Sequence, residues 1–340
     1  MIATVNDIAQ LLPPLRNLHD RIRQSVVEAT AARSTTELSR IVAEQGGDLV
    51  FAIDRVSEQV LVDFVTNEIA CHTPVVLIAE GLPTGQMILP SDAREEDCRW
   101  RIIVDPIDGT RCLMYQKRPG WILTGVAPNR GPNTSLNDIE LAVQTEIPLL
   151  KQHLSDQLWA IRGQGTSAER FDRITGQRQP LLVQPSSSDT IRNGFASITR
   201  FFPGARDVLA DIDDKLVDQV LGQPQTGNSL TFEDQYASTG GQLHCLASGA
   251  DRFLADLRPL MQKVIDQRNQ KLGHCCHPYD ICTALIATEL GVEITAPDGQ
   301  PLDVPLDVET NVAWIGYANK KIRQQVEPVL QKILKSQGLI

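Results

Sequence analysis

Residues 100–110 combine residue types that can hold a hard metal ion. They read Trp-Arg-Ile-Ile-Val-Asp-Pro-Ile-Asp-Gly-Thr, an apolar run followed by an acidic turn. Asp105 and Asp108 offer carboxylates, and the backbone carbonyl of Ile107 lies between them in the chain. Oxygen ligands of this kind suit Mg²⁺ or Mn²⁺ better than a soft metal. The stretch therefore predicts a metal-binding turn at the end of a strand.

The next two residues suggest an anion site beside that turn. Gly109 lets the backbone approach a ligand closely, and the N–H groups of Gly109 and Thr110 would point at a phosphate if they open a helix. The Thr110 hydroxyl could orient a water molecule. The alternative is an ordinary tight turn, because Asp, Pro and Gly all favour turns for local reasons.

Two apolar runs predict the strands that position these acids. Residues 75–79 and 100–104 have the length and β-branched content of buried strands, and Glu80 and Asp105 follow them. Two carboxylates would then lie at strand ends on a common cleft. Strands and helices alternate along the chain without a regular period, which predicts a layered α/β or α+β fold.

The sequence also predicts the secondary structure of the remaining segments. A helix should follow Pro13 and Pro14, a turn should lie at Gly46 and Gly47, and a last helix should close the chain. Further strands are predicted at 121–127, 141–147, 158–161, 195–198, 253–257 and 312–317, helices at 208–221, 234–248 and 280–290, and loops at 81–97, 128–137 and 258–277.

Length, charge and composition limit the kinds of partner that the protein can bind. A chain of 340 residues with a net charge of -10 can bury a large core and would repel a nucleic-acid polymer. Residues 1–7 do not read as a targeting signal, and no segment has the length of a membrane span. The 7 cysteines show no C-x-x-C spacing. We expect a cytoplasmic protein with reduced thiols that binds neither membranes nor nucleic acids.

Several motifs in order resemble the inositol monophosphatase family, whose superfamily includes fructose-1,6-bisphosphatases and nucleotide bisphosphate phosphatases. The most diagnostic match is Asp105 to Thr110. The others are Ile53-Asp54, Ala79-Glu80-Gly81, residues 119–126, residues 158–165, and Tyr279-Asp280 opening a segment that closes with Glu289-Leu290-Gly291. The resemblance covers residues 48–303, most of the chain.

The resemblance implies a layered α-β-α-β-α sandwich of the sugar-phosphatase type and hydrolysis of a phosphate monoester with two to three Mg²⁺ ions, for which Mn²⁺ can substitute. Glu80, Asp105 and the Ile107 carbonyl would hold the first ion, and Asp105, Asp108 and Asp280 the second. Glu80 and Asp54 would serve a third.

The same resemblance implies the remaining roles. Glu80 and Thr110, with Asp54, would orient and deprotonate the attacking water, and Asp108, Gly109, Thr110 and Asp280 would bind the substrate. Asp256 would bind a substrate hydroxyl. It also implies a homodimer, with an N-terminal α+β subdomain at 1–190 carrying most metal ligands and a C-terminal α/β subdomain at 191–340 supplying Asp280 and the substrate-selecting loop 258–277.

The sequence departs from the family at a few positions. Gly81 replaces a second glutamate, Tyr279 replaces a tryptophan, and Arg111 and Cys112 follow the threonine, so the entrance beside the phosphate site differs in charge.

Two alternative functions stay open. A fructose-1,6-bisphosphatase or nucleotide 3′-phosphatase would need a basic pocket for a second phosphate, with Arg252, Arg258, Lys263 and Arg268 as candidates. A catalytically silent metal-binding or ligand-binding regulatory protein would keep the fold without turnover, although an intact acid set argues against it.

Two smaller motifs have plain explanations. His274-Cys275-Cys276-His277 holds four good zinc ligands, but adjacent residues rarely converge on one tetrahedral ion, so a loop is the better interpretation. Gly240 and Gly241 favour close packing inside a helix.

Overall fold

Two larger β-sheets, a two-stranded hairpin and three layers of helices make up the part of the chain that the structure describes. A computed structural model describes residues 8–39, 41–45, 48–51, 53–223 and 228–340. Among these residues, one sheet has eight strands and a second has four. A hairpin of Ile41–Gln45 with Asp48–Phe51 is separate from both. The layers run helix, sheet, helix, sheet, helix, so the predicted α+β sandwich is confirmed.

The strands are bounded as follows: β1 (Ile41–Gln45), β2 (Asp48–Phe51), β3 (Val75–Ala79), β4 (Gln86–Leu89), β5 (Trp100–Asp108), β6 (Gly120–Pro128), β7 (Leu141–Ile147), β8 (Leu154–Ile161), β9 (Thr166–Asp172), β10 (Arg178–Pro180), β11 (Phe195–Ile198), β12 (Asp251–Asp256), β13 (Glu293–Thr295) and β14 (Trp314–Tyr317). The strand order is β10-β9-β8-β7-β6-β5-β3-β4 in the large sheet and β11-β12-β14-β13 in the small sheet. In the large sheet β3 and β5 are parallel, whereas β4 is antiparallel to β3 and β6 is antiparallel to β5. In the small sheet β11 and β12 are parallel.

The helices are α1 (Leu12–Ala32), α2 (Thr35–Leu38), α3 (Asp54–Phe64), α4 (Thr110–Met114), α5 (Arg206–Leu221), α6 (Thr239–Ala247), α7 (Gln262–Gln267), α8 (Pro278–Ile281), α9 (Ala284–Glu289) and α10 (Lys320–Ser336). A π-helical turn, Val65–Ala70, continues α3. Within the described ranges no helix is both long and apolar enough to cross a bilayer.

The central strands are buried on both faces, which explains their uninterrupted apolar runs. One face of the large sheet, including Leu77 and Ile102, packs on α1 and α3. Its other face, including Ile78 and Ile103, packs on the middle layer of α6, α8 and α9. The small sheet covers that layer, and its outer face packs on α5 and α10. The middle layer therefore brings helix starts to the strand ends of the large sheet.

Several local predictions were wrong in detail. Pro13 and Pro14 lie in the first turn of α1 rather than before it, because the first helical N–H groups need no partner. The predicted loop 81–97 contains β4, and the predicted loop 258–277 contains a 3₁₀ turn (Arg258–Met261) and α7. The helix predicted at 234–248 begins only at Thr239.

The helix predicted at 280–290 is two helices, α8 and α9, separated at Cys282 and Thr283. The predicted turn at Gly46 and Gly47 and the first seven residues lie outside the described residues. The strands of the large sheet lie between residues 75 and 180 and those of the small sheet between 195 and 317. The division into units 1–190 and 191–340 stays a prediction.

Candidate metal-dependent active site

The end of β5 places two acids side by side. Asp105 pairs with Leu123 and Asp108 with Trp121 of β6, with a β-bulge between the two pairs. Residues three apart point to opposite faces in a regular strand, so the bulge allows both carboxylates to turn toward one cleft. Asp105 Oδ1 also accepts a hydrogen bond of 2.9 Å from the N–H of Ile107, which fixes its orientation.

Residues at the start of α6 donate hydrogen bonds to the Asp108 carboxylate. Asp108 Oδ2 accepts hydrogen bonds of 2.6 Å from the Ser238 hydroxyl and 2.6 Å from the Gly240 N–H, and Asp108 Oδ1 accepts one of 3.3 Å from the Thr239 N–H. Ser238 is also the N-cap of α6 and accepts from the Gly241 N–H at 2.9 Å. The first N–H groups of a helix have no partner inside it, and they favour an anion here.

Two glycines make this contact possible. Gly109 has a φ of +81°, and a Cβ there would lie 2.9 Å from Ser238 Cβ. A Cβ at Gly240 would lie 2.6 Å from Leu123 Cδ2 and 3.0 Å from Asp108 Oδ2. Gly240 therefore packs closely inside α6, as predicted, and also lies at the site itself. Ser238 and Thr239 were not predicted from the sequence, although a serine before a small-residue helix is a recognisable N-cap signal.

Asp280 reaches the same point from the first turn of α8. Its Oδ2 accepts a 2.6 Å hydrogen bond from the backbone N–H of His277. Carboxylate oxygens of Asp105, Asp108 and Asp280 all lie within 4.8 Å of one another, and all three residues are buried. The structure thus brings together three of the predicted metal ligands from two distant segments.

Thr110 and Asp54 form a second part of the site. The Thr110 hydroxyl lies 3.2 Å from Asp54 Oδ1 and 2.8 Å from the Ile107 carbonyl oxygen, and it can donate to either acceptor. Asp54 begins α3, and both residues line the cleft. The Ile107 carbonyl, predicted as a metal ligand, therefore has Thr110 as a neighbour, and its metal-binding role stays a prediction.

Glu80 lies on the cleft wall with a neighbour that was not predicted. Glu80, Gly81 and Glu58 line the cleft together. Gly81 has a φ of +85°, and a Cβ there would overlap the Glu58 carboxyl group, approaching its Cδ to 2.6 Å. Burial raises the pKa of Glu58. The carboxyl group of Glu58 in α3 thus fills the space that a side chain at position 81 would need.

The electrostatics of the three aspartates fit a bound cation. Burial, together with the charges of Asp108, Asp280 and Glu80, raises the pKa of Asp105 well above its usual value. Burial and the charge of Asp280 raise the pKa of Asp108 to about 7, although the hydrogen bonds from the start of α6 act to lower it. Buried like charges are unfavourable without a counter-ion, and an all-oxygen donor set matches Mg²⁺ or Mn²⁺. The residues present therefore fit a hard divalent ion.

Basic and aromatic residues also line the cleft. They include Arg111, Phe201, Phe202, Arg258 and His274. The Arg111 guanidinium lies 5.5 Å from the Phe202 ring centroid, and the Arg258 guanidinium lies 4.5 Å from that of Phe201. These contacts fall within the usual range of cation–π interactions, so both cations are held against the aromatic pair.

Asp256 pairs with one of these residues, Arg258. It is fully buried, and its two carboxylate oxygens accept hydrogen bonds of 2.8 and 2.5 Å from the Arg258 guanidinium. Arg258 also donates to the His274 carbonyl at 2.8 Å. In this arrangement Asp256 positions Arg258, and Arg258 is the member of the pair that faces the cleft.

Comparison with solved structures finds proteins with the same layered fold. No family model and no curated protein matches the sequence. A fructose-1,6-bisphosphatase of Leishmania major in holo form matches with a TM-score of 0.69 over 97% of this chain and 94% of its own, at 14% identity. This chain has the fold of that protein.

Two further solved structures share this fold. The extragenic suppressor protein suhB of Bartonella henselae matches with a TM-score of 0.64 at 15% identity, over 95% of this chain and 99% of its own. SaIMPase-II, solved with inositol monophosphate bound, matches with a TM-score of 0.60 at 14% identity, over 97% of this chain and 96% of its own. The layered sandwich expected from the sequence is therefore confirmed.

Proposed function

We propose that this protein is a Mg²⁺-dependent phosphatase that hydrolyses the phosphate monoester of a small polyol or sugar. The observation that carries the proposal is the convergence of Asp105, Asp108 and Asp280 in one cleft, with the Thr110–Asp54 pair beside them. The fold of two named phosphatases supports it.

The metal ions, two to three in number, would be held by the three aspartates together with Glu80 and Asp54. When bound, Mg²⁺ supplies the positive charge that a phosphate monoester needs before a nucleophile can approach it. Glu80 and Asp105 both line the cleft, and the charge of Glu80 helps to raise the pKa of the Asp105 carboxyl.

The chain's own groups would place and deprotonate the attacking water. While the Thr110 hydroxyl donates to Asp54, its oxygen can accept a hydrogen bond from the attacking water and so orient it. Glu80 would act as the general base. We propose that the backbone N–H groups of Gly109 and Thr110, which line the cleft, hold a phosphoryl oxygen.

A second candidate substrate is a bisphosphate. Arg111 and Arg258 line the same cleft as the acids and could face a second anionic group. The other basic candidates are engaged elsewhere: Arg252 donates to the Thr190 carbonyl, Lys263 to the Gly338 carbonyl, and Arg268 to Asp207. A fructose-1,6-bisphosphatase or nucleotide 3′-phosphatase activity therefore depends on those two arginines.

The test is phosphate release with Mg²⁺ from inositol phosphates, sugar monophosphates and bisphosphates, and nucleotide bisphosphates. Asp105→Asn should lower turnover by more than about a hundredfold, because losing a group that only orients a ligand already costs about 10- to 100-fold. Asp92→Asn, an exposed aspartate, is the matched control. Folded protein that binds Mg²⁺ but turns over none of the panel would favour a silent binding protein.

We also propose a homodimer in the cytoplasm, as the resemblance in the sequence implies. Sedimentation at several protein concentrations measures the oligomeric state, and a monomer at every concentration would remove that part of the proposal.

A further inference from the structure

We infer that His274, His277 and Asp280 form a second metal site, which takes a divalent transition metal of the Zn²⁺ class. One ligand atom from each residue lies within 4.8 Å of the others. The site is adjacent to the three aspartates, because Asp280 belongs to both groups. It does not depend on the proposed phosphatase activity, since it rests on the two imidazoles and their positions.

His277 is fixed at the start of α8. Its backbone N–H donates to Asp280 Oδ2 at 2.6 Å, and its ring Nδ1 lies 3.6 Å from the same oxygen. Its ring stacks on Tyr279 with centroids 5.4 Å apart and an interplanar angle of 12°, and the Tyr279 hydroxyl lies 3.3 Å from Nδ1. The imidazole is therefore held beside the carboxylate by both its backbone and its ring.

His274 is brought to the same place by its own contacts. Its ring centroid lies 5.2 Å from that of His277 and 5.8 Å from that of Phe202. Its backbone carbonyl accepts the hydrogen bond from Arg258, whose charge is balanced by Asp256. Both ends of the segment 274–277 are thus anchored, which limits the entropy that metal binding must overcome.

The two cysteines between the histidines do not belong to this group of ligand atoms. Cys275 Sγ lies 3.5 Å from the Gly273 carbonyl, and Cys276 Sγ lies 3.6 Å from the His277 carbonyl. The four-residue zinc motif that the sequence suggested is therefore replaced by a different set, in which a carboxylate three residues beyond the second histidine takes part.

The donor set selects the metal. Two imidazole nitrogens and one carboxylate oxygen suit Zn²⁺, Co²⁺, Ni²⁺ or Fe²⁺, whereas Mg²⁺ prefers oxygen ligands alone. Three protein ligands also leave a coordination position open toward the cleft, which His274 and Asp280 both line. An ion held by the histidines would share Asp280 with the three-aspartate group, and so would change how that group binds Mg²⁺.

The experiment is a Co²⁺ titration followed by visible d–d absorption, with Zn²⁺ affinity measured by calorimetry and Mg²⁺ affinity measured separately on the same samples. His274→Gln and His277→Gln should each weaken Co²⁺ and Zn²⁺ binding by about tenfold or more while Mg²⁺ still binds. His153→Gln, at an exposed histidine, is the matched control and should bind Co²⁺ as the wild type does.

Variants of the aspartates separate the two sites. Asp105→Asn should weaken Mg²⁺ binding and leave the Co²⁺ spectrum in place, whereas Asp280→Asn should weaken both ions. The inference is overturned if the histidine variants, folded by circular dichroism, bind Co²⁺ like the wild type. It is also overturned if Asp105→Asn removes the Co²⁺ spectrum, since the ion would then sit among the aspartates. Neither result would bear on whether the protein hydrolyses phosphate esters.

Discussion

Ser238→Ala should weaken both the fold and the metal site, because one hydroxyl serves both. The hydroxyl donates to Asp108 Oδ2 at 2.6 Å and accepts from the Gly241 N–H as the N-cap of α6. Losing an N-cap costs about 1 kcal/mol, and losing a hydrogen bond to a charged group costs about 1.5–3 kcal/mol. Ser238 is 2% exposed, so water cannot easily replace the hydroxyl.

The free energy of unfolding should therefore fall by about 2.5–4 kcal/mol in the variant. Urea denaturation monitored by circular dichroism measures this directly. The Ser238 hydroxyl also lowers the pKa of Asp108, so its loss leaves a carboxyl that is harder to ionise and less well oriented. The Mg²⁺ concentration needed for half-maximal phosphate release should rise by about 10- to 100-fold.

Ser336→Ala is the control, because the Ser336 hydroxyl donates to the Ile333 carbonyl at 2.7 Å in the last turn of α10, a helix on the outer face of the small sheet. It should change stability slightly and Mg²⁺ dependence not at all. If Ser238→Ala unfolds at the wild-type urea concentration and keeps the wild-type Mg²⁺ dependence, the start of α6 does not support the acid cluster and the reasoning fails.

Two further substitutions test the cleft wall and the core. Gly81→Ala should cost about 1 kcal/mol through its positive φ and, by displacing Glu58, should lower Mg²⁺-dependent turnover by about tenfold, measured as kcat/KM. His19 lies fully buried between Thr124 and Thr145, and burial lowers its pKa to about 3 from 6.5. The unfolded chain takes up that proton first, so stability falls as pH drops below about 6.5. Between pH 7 and pH 5 the wild type should lose about 2 kcal/mol more than His19→Gln in urea denaturation.

Each of these has a matched control. Gly163 has a φ of +74° and open space around a Cβ, so Gly163→Ala should show the strain without the loss of turnover. Equal turnover in the two alanine variants would mean that the position of Glu58 does not matter. His153→Gln, at an exposed site, should keep the wild-type pH dependence of stability. A His19→Gln variant with that same dependence would show that His19 does not titrate on unfolding.

The sequence by itself determined the parts of the site that lie close together in the chain. Asp105, Asp108, Gly109 and Thr110 occupy one strand end and the start of one helix, and the apolar run before them predicted the strand. A buried strand and a turn each leave a local pattern, since burial dictates apolar residues and turns favour Asp, Pro and Gly. The layered fold followed from the same patterns and from the resemblance.

Strands without a local pattern were missed. β9 and β10 carry polar side chains that are largely exposed or half-buried, and β4 lies in a segment rich in turn residues. Their strand geometry comes from pairing with a neighbouring strand, β8, β9 or β3 respectively. Propensity in a strand largely reports fit to the surrounding sheet, so strands at the edge of the sheet, or next to it as β9 is, cannot be recognised from their own residues alone.

Tertiary structure alone decided which distant groups meet the acids. Ser238 and Asp108 are 130 residues apart in the chain, and Thr110 and Asp54 are 56 apart. Whether Glu58 fills the space beside Gly81 depends on how α3 packs on the large sheet. These contacts are set by the burial of apolar faces far from the site, and that packing brings the polar groups together without leaving a pattern in the residues around them.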